Sequence, residues 1–187
     1  MAGLMHEPEL TMFTDDTNLM SLLSPQDAEV VTQALQARGI PPQSVSKMKP
    51  WMLAAMVTLP ACELARKASG TRILDIKLAR DVQAAGKELD GLETVADQLR
   101  AMASLPIDFH MKGLVETLKL GDRMDDITET MIVFYKNGDT GMFWPLFHAV
   151  LPGDDDDDTD YAAFEEAMIT ARNKVMAERA GPILARG

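Results

Sequence analysis

Apolar residues recur at spacings of three and four along most of the chain, the pattern of amphipathic helices. The stretch SPQDAEVVTQALQARG carries both ends of such a helix, with Ser24 as a cap, Pro25 in the first turn and Gly39 beyond the last turn. The last stretch, Tyr161–Arg179, places four apolar residues on one stripe: Phe164, Met168, Ala171 and Val175. The pattern therefore predicts a chain that is mostly helical.

Proline and glycine divide the rest of the chain into further elements. The same signals predict a helix from Pro50 that stops at Gly70 and kinks at Pro60. Further helices are predicted over Asp75–Ala85, Thr94–Ser104, Asp108–Lys119, Arg123–Tyr135 and Gly141–Val150. One short strand is predicted over Glu88–Leu92, and no pair of hydrophobic strands would build a sheet. The expected fold class is thus mostly α, a single-domain helical bundle with at most one or two short strands.

Composition limits the classes of function. The 187 residues are 47% hydrophobic and 25% charged, enough for one folded domain with a real core. The net charge of −11 disfavours binding to nucleic acid or to an anionic membrane, because Lys and Arg must neutralise phosphate groups there. The longest apolar run, Trp51–Leu64, is shorter than the ~20 residues of a membrane span.

An acidic segment, PGDDDDDTD at residues 152–160, lies between two predicted helices. Five acidic residues stand at positions one, three, five, seven and twelve of an EF-hand calcium loop: Asp154, Asp156, Asp158, Asp160 and Glu165. However, Thr159 occupies the sixth position, where the sharp turn needs glycine. We interpret the segment as a solvated acidic loop, with the metal site as a speculative alternative.

Four polar residues remain as candidates for a site. Glu93 follows the predicted strand and precedes a helix, at the kind of boundary where loops carry functional side chains. Asp75 is expected to be the N-cap of its helix. Arg172 and Asn173 lie mid-way along the last helix, where the asparagine lowers helix propensity without evident return. The three histidines do not cluster, so these residues alone do not name a reaction.

Five short motifs in order resemble a known family. They are K-P-W at residues 49–51, I-L-D-x-x-L at 73–78, A-x-G-K-x-x-x-G-L-E-T-x-x-x-Q ending at Gln98, Y-x-x-G-D at 135–139 and R-N-x-x-M at 172–176. Together they resemble the TraB/GumN family of bacterial proteins, which is related to the TIKI metallopeptidases. The resemblance covers about residues 10 to 180. Glu93 matches the glutamate of the family's G-L-E-T motif, and Arg172-Asn173 matches its R-N pair.

The resemblance implies a metal-dependent hydrolase that resembles a peptidase. In that family, histidines of two terminal G-x-x-H motifs are proposed to hold a divalent cation such as Mn²⁺ or Co²⁺. A carboxylate such as Glu93 would take a proton, and Arg172 would offset a developing oxyanion. Asn173 and Asp75 complete the set of candidate catalytic residues. The resemblance also implies an extracytoplasmic location, periplasmic or membrane-anchored.

The chain departs from the family pattern at both ends. Gly3-Leu4-Met5-His6 spells G-x-x-H, but no apolar strand precedes it, and the sequence stops at GPILARG before a second motif. We therefore expect residues 1–187 to be the central helical part of an α+β family domain, catalytically inactive and without a cofactor on its own. The alternative is an interaction module that binds a peptide or protein in an apolar groove. Helices left uncovered by truncation would also favour a homodimer.

Overall fold

The computed structural model describes residues 7–121, 123–150 and 157–186. In this part of the chain the regular elements are helices, and the mostly α prediction is confirmed. The α-helices are α1 Pro25–Ala37, α2 Pro50–Val57, α3 Ala61–Ala68, α4 Leu74–Ala84, α5 Val95–Ala103, α6 Ile107–Leu120, α7 Arg123–Asn137, α8 Phe143–Val150, α9 Asp157–Glu165 and α10 Ala171–Leu184. A π-helical turn, Glu166–Thr170, joins α9 to α10. No helix among the described residues is long and apolar enough to cross a membrane.

The core lies where α1 and α2 pack against α6. α1 begins as its sequence predicts, because the Ser24 side chain accepts a hydrogen bond from the Asp27 backbone N–H at 3.1 Å. Gly39, just beyond its end, has φ of +67°, a conformation that favours glycine. The core side chains that are fully buried include Leu19, Val31, Leu35, Leu53 and Leu114. The packing of α6 between α1 and α2 therefore fixes the N-terminal half of the molecule.

A second layer is built from α5, the π-helical turn and α9. Phe109 of α6 stacks on Phe164 of α9 with ring centroids 6.0 Å apart, which links this layer to the core. His110 is buried, and its ring Nε2 lies 3.0 Å from the Met102 carbonyl oxygen of α5. Desolvation by burial lowers the pKa of His110. Its contact with the Met102 carbonyl joins α5 to α6.

The predicted strand Glu88–Leu92 does not form, and this prediction was wrong. Its residues run without regular structure from α4 to α5. A strand needs a neighbouring backbone to pair with, and in the described part of the chain the one β-bridge joins Met12 to Met48 instead. The segment is held by arginine side chains of α10 and of the turn after it, whose contacts are given below.

Three boundaries also differ from prediction. Pro60 ends one helix and begins another, rather than kinking a single helix, because it lies between α2 and α3 and serves as the N-cap of α3. Asp75 is not the N-cap of α4: Ile73 is, and Asp75 lies in the first turn. Asp157–Asp160, predicted as part of the acidic loop, are the first residues of α9, where the helix dipole favours carboxylates.

Candidate functional site

The start of α5 fixes the position of Glu93. Thr94 is the N-cap, and its hydroxyl oxygen accepts a hydrogen bond from the Asp97 backbone N–H at 3.1 Å. In return, the Asp97 carboxylate accepts from the Thr94 backbone N–H at 3.0 Å. This reciprocal pair is a capping box, which determines where the helix begins. Glu93 is therefore held one residue before the cap, beside the helix terminus.

Glu93 forms a two-point ion pair with Arg172 of α10, 79 residues away in sequence. Arg172 Nε donates to Glu93 Oε2 at 3.0 Å, and Nη2 donates to Oε1. Both side chains are largely shielded, with 20% of Arg172 and 23% of Glu93 exposed. Two parallel N–H···O bonds fix the orientation of both groups more tightly than a single contact does. The structure thus brings two of the four candidate residues into direct contact.

The π-helical turn before α10 accounts for the placement of Arg172. Its wider turn displaces the α-helical pattern of backbone hydrogen bonds, and such turns are frequent at functional sites. The carbonyl oxygen of Met168, inside the turn, accepts a hydrogen bond from Arg172 Nη1 at 2.7 Å. The guanidinium therefore contacts both the irregular turn and the Glu93 carboxylate.

Three arginines at intervals of seven residues connect α10 to the segment before α5. Seven residues are close to two helical turns, so Arg172 and Arg179 lie near one face of α10, and Arg186 follows in the turn after the helix ends at Leu184. Arg179 Nη1 donates to the Leu92 carbonyl at 2.9 Å and to Asp97 Oδ2 at 3.1 Å. Arg186 Nη2 donates to Asp90 Oδ2 at 2.5 Å. We call these three side chains the arginine stripe.

The stripe stabilises the ionised form of the carboxyls that it contacts. Hydrogen bonds from Arg172 lower the pKa of Glu93 below its ordinary value. The backbone N–H of Thr94, followed by the Arg179 guanidinium, lowers the pKa of Asp97 to about 2. The hydrogen bonds with Glu93 raise the pKa of Arg172 in turn. Near neutral pH this site is therefore a fixed arrangement of carboxylates and guanidiniums.

Acid should weaken this arrangement in a defined pH range. Both folded-state pKa values are lowered, so the stabilisation is complete above the ordinary values of 4.5 for Glu93 and 3.8 for Asp97. It is lost as pH falls further, towards about 2 for Asp97. We expect the free energy of unfolding to fall below pH 4.5, as measured by urea denaturation. The double variant Glu93→Gln/Asp97→Asn should show a shallower fall, and an unchanged slope would contradict the assignment.

A cleft of about 370 Å³ opens between α5 and α10 beside the ion pair. Its polar lining consists of Glu93, Asp97, Arg172 and Arg179 together with Arg100 and Ser104. Arg100 in turn pairs with Glu7, to which its Nε donates at 3.0 Å. The remaining wall is apolar and consists of Ala101, Ala167, Ala171, Val175 and Met176. The cleft thus combines apolar walls with a few fixed charges, as ligand sites commonly do.

The other two candidate residues do not line this cleft. Asp75 is exposed on α4, and Asn173 is exposed on α10 beside Arg172. Conversely, the sequence analysis missed Asp97, Arg100 and Arg179, which do line it. The T-x-x-D capping pattern at Thr94 pointed to Asp97, and the seven-residue spacing of arginines pointed to Arg179.

The donor set of this cleft does not fit a metal centre. Both oxygens of Glu93 accept from Arg172, and guanidinium groups offer no lone pair to a cation such as Mn²⁺ or Co²⁺. Within the described ranges, no three residues among His, Cys, Asp and Glu are grouped closely enough to bind a metal. His6, Asp154 and Asp156 lie outside the described residues, as does the side chain of Asp158.

A second cavity, of about 730 Å³, lies between the loop after α2 and the helices α6, α7 and α8. We call it the apolar groove. Its wall is formed mainly by Leu59, Ile127, Met131, Ile132, Phe143 and Phe147. Such a surface suits an apolar helix or peptide better than a small polar substrate.

Comparison with known proteins identifies the family. A model of the TraB/PrgY/gumN family matches residues 1–187. Comparison with curated proteins and comparison with solved structures gave no match. The family match agrees with the five motifs that led to the same family, two of which supply the Glu93–Arg172 pair. The chain belongs to the TraB/PrgY/gumN family.

Proposed function

We propose that the chain provides the helical part of a hydrolase of this family, resembling a peptidase, and that its substrate binds in the cleft beside Glu93 and Arg172. The observation that supports this proposal is the shielded two-point ion pair between residues 79 positions apart. Charged groups shielded from water and held in a cleft are frequent at functional sites.

In this proposal Arg172 is the residue that meets the substrate. A guanidinium has five N–H donors, and three of those on Arg172 are used by Glu93 and the Met168 carbonyl. Two therefore remain for an oxygen that becomes negatively charged during hydrolysis. Glu93, whose pKa is lowered, is a weak base in this pairing. Its proposed role is to hold the guanidinium in position.

The family resemblance adds a divalent cation, Mn²⁺ or Co²⁺, which would polarise the scissile carbonyl. Because the cleft residues do not fit a metal, we propose that its ligands lie outside the described residues, on histidines of the family's G-x-x-H motifs. An extracytoplasmic location is proposed on the same resemblance.

Hydrolysis of a fluorogenic peptide library by the protein translated from the complete reading frame, with Mn²⁺ added, tests this proposal. Arg172→Lys should lower kcat/KM by roughly 100-fold, the usual effect of losing an oxyanion donor. Arg66→Lys is the matched control, because Arg66 is exposed and pairs with Glu63 on the same helix. Equal activity of the two variants would contradict the proposal.

The apolar groove supports a second candidate, an interaction module that binds a peptide or protein. Its wall carries large apolar side chains from α7 and α8, which is the surface that an amphipathic helix recognises. The two candidates differ in the cavity that matters. Hydrolysis depends on the cleft at Glu93, whereas partner binding depends on the groove.

A further inference from the structure

The helices α3 and α4 form an arm that leaves its apolar residues uncovered. Neither helix packs extensively against another element in the described part of the chain. Ile73, Leu74 and Leu78 are 67%, 57% and 50% exposed. Burying exposed side chains of this size is favourable, because apolar area is removed from water. The arm, residues 61–87, therefore presents a surface that would be stabilised by a partner.

The charge of the arm is opposite to that of the chain as a whole. The arm contains six basic residues and three acidic ones: Arg66, Lys67, Arg72, Lys77, Arg80 and Lys87 against Glu63, Asp75 and Asp81. The entire chain carries a net charge of −11. A basic arm on an acidic protein is electrostatically complementary to the rest of another copy of the same chain.

The apolar groove has matching features. On α7, Asp125 and Glu129 are exposed and lie on the helical stripe that continues to Ile132 and then to Lys136, both in the groove wall. Carboxylates thus border an apolar surface on the groove. On α4, Arg80 and Lys77, which pairs with Asp81 of the same helix at 2.5 Å, border the exposed apolar residues in the same way. The arm therefore presents apolar area beside basic residues, and the groove presents apolar area beside acidic residues, so the two surfaces are complementary.

We propose that the arm of one copy of this chain packs into the apolar groove of a second copy, and the reverse. In a dimer with twofold symmetry this contact between arm and groove occurs twice, and twofold symmetry is the usual arrangement of a homodimer. The inference goes beyond the hydrolase, because it involves no residue of the Glu93 cleft. It also specifies the second candidate function, because it names a second copy of the chain as the partner that occupies the groove.

A charge-exchange experiment tests this proposal by sedimentation equilibrium at low ionic strength. The unmodified chain should sediment at twice its mass of 20.5 kDa. An arm variant, Lys77→Glu/Arg80→Glu, and a rim variant, Asp125→Lys/Glu129→Lys, should each dimerise roughly 100-fold more weakly, because like charges then face each other. An equimolar mixture of the two should recover the dimer, since both contacts of the mixed pair join opposite charges.

Apolar contact is tested in parallel with Leu78→Glu on the arm. Leu184→Glu is the matched control, because Leu184 is 78% exposed on α10 and lies outside the proposed interface. The first variant should weaken the dimer and the control should not. Circular dichroism checks that each variant keeps its helices. A monomeric unmodified chain, or a dimer that neither double variant weakens, would overturn the proposal.

Discussion

Replacing Arg172 by alanine is expected to lower the free energy of unfolding by about 2–3 kcal/mol, from the loss of charged hydrogen bonds. The substitution leaves the Glu93 carboxylate, only 23% exposed, without its partner. It also removes the donor to the Met168 carbonyl inside the π-helical turn. Urea denaturation followed by circular dichroism measures the change.

Arg66→Ala is the control for this prediction. Arg66 also donates to a glutamate, Glu63 at 2.8 Å, but its side chain is 62% exposed and the pair lies within one helix. Exposed pairs of this kind contribute about 0.2–1 kcal/mol at most. If Arg172→Ala cost no more than Arg66→Ala, the ion pair at Glu93 would not stabilise the fold.

Replacing Leu114 by alanine is expected to cost about 3 kcal/mol, within the usual range of 2–5 kcal/mol for a buried leucine. Leu114 is fully buried in α6, where the core formed with α1 and α2 lies. The substitution leaves a cavity in addition to the lost apolar contact. The same denaturation experiment measures this effect.

Leu184→Ala, at a residue that is 78% exposed on α10, is the matched control and should change stability by less than about 0.5 kcal/mol. Similar losses in the two variants would show that α6 is not the centre of the core. The comparison therefore tests the packing of the N-terminal half independently of the ion pair.

Local signals predicted most of the helices, but not the π-helical turn that divides the predicted helix Tyr161–Arg179 into α9 and α10. Ser24, Pro25 and Gly39 gave the limits of α1 to within two residues, because capping and glycine chemistry act within one turn. Pro60 was harder to interpret. A proline within an apolar run permits either a kink or a new helix, and the choice depends on how α2 packs against α6.

The segment Glu88–Leu92 shows what local signals miss. Its short length and glycine argued against a helix, which was correct, but whether a strand forms depends on pairing with distant backbone. The segment is not part of a β-ladder. Instead, its Asp90 carboxylate accepts a hydrogen bond from Arg186, and its Leu92 carbonyl accepts one from Arg179. These contacts span about half the chain and leave no trace in local periodicity.

The candidate site was predictable only in part, and by resemblance rather than by pattern. The G-L-E-T and R-N motifs selected Glu93 and Arg172, which the structure places in contact. Asp75 and Asn173 were selected in the same way but do not line the cleft. Arg179 belongs to the cleft through a spacing that becomes meaningful only when α10 is known to run beside residues 90–97.

A double-mutant cycle on Glu93 and Arg172 tests the central claim most directly, since this pair joins the segment before α5 to the last helix. Glu93→Ala, Arg172→Ala and the double variant are compared with the unmodified chain by urea denaturation. We predict a coupling free energy of about 1–2 kcal/mol, in the range for contacting charged groups. The parallel cycle of Glu93 with Arg66 should give none. A coupling indistinguishable from zero for Glu93 and Arg172 would contradict the account.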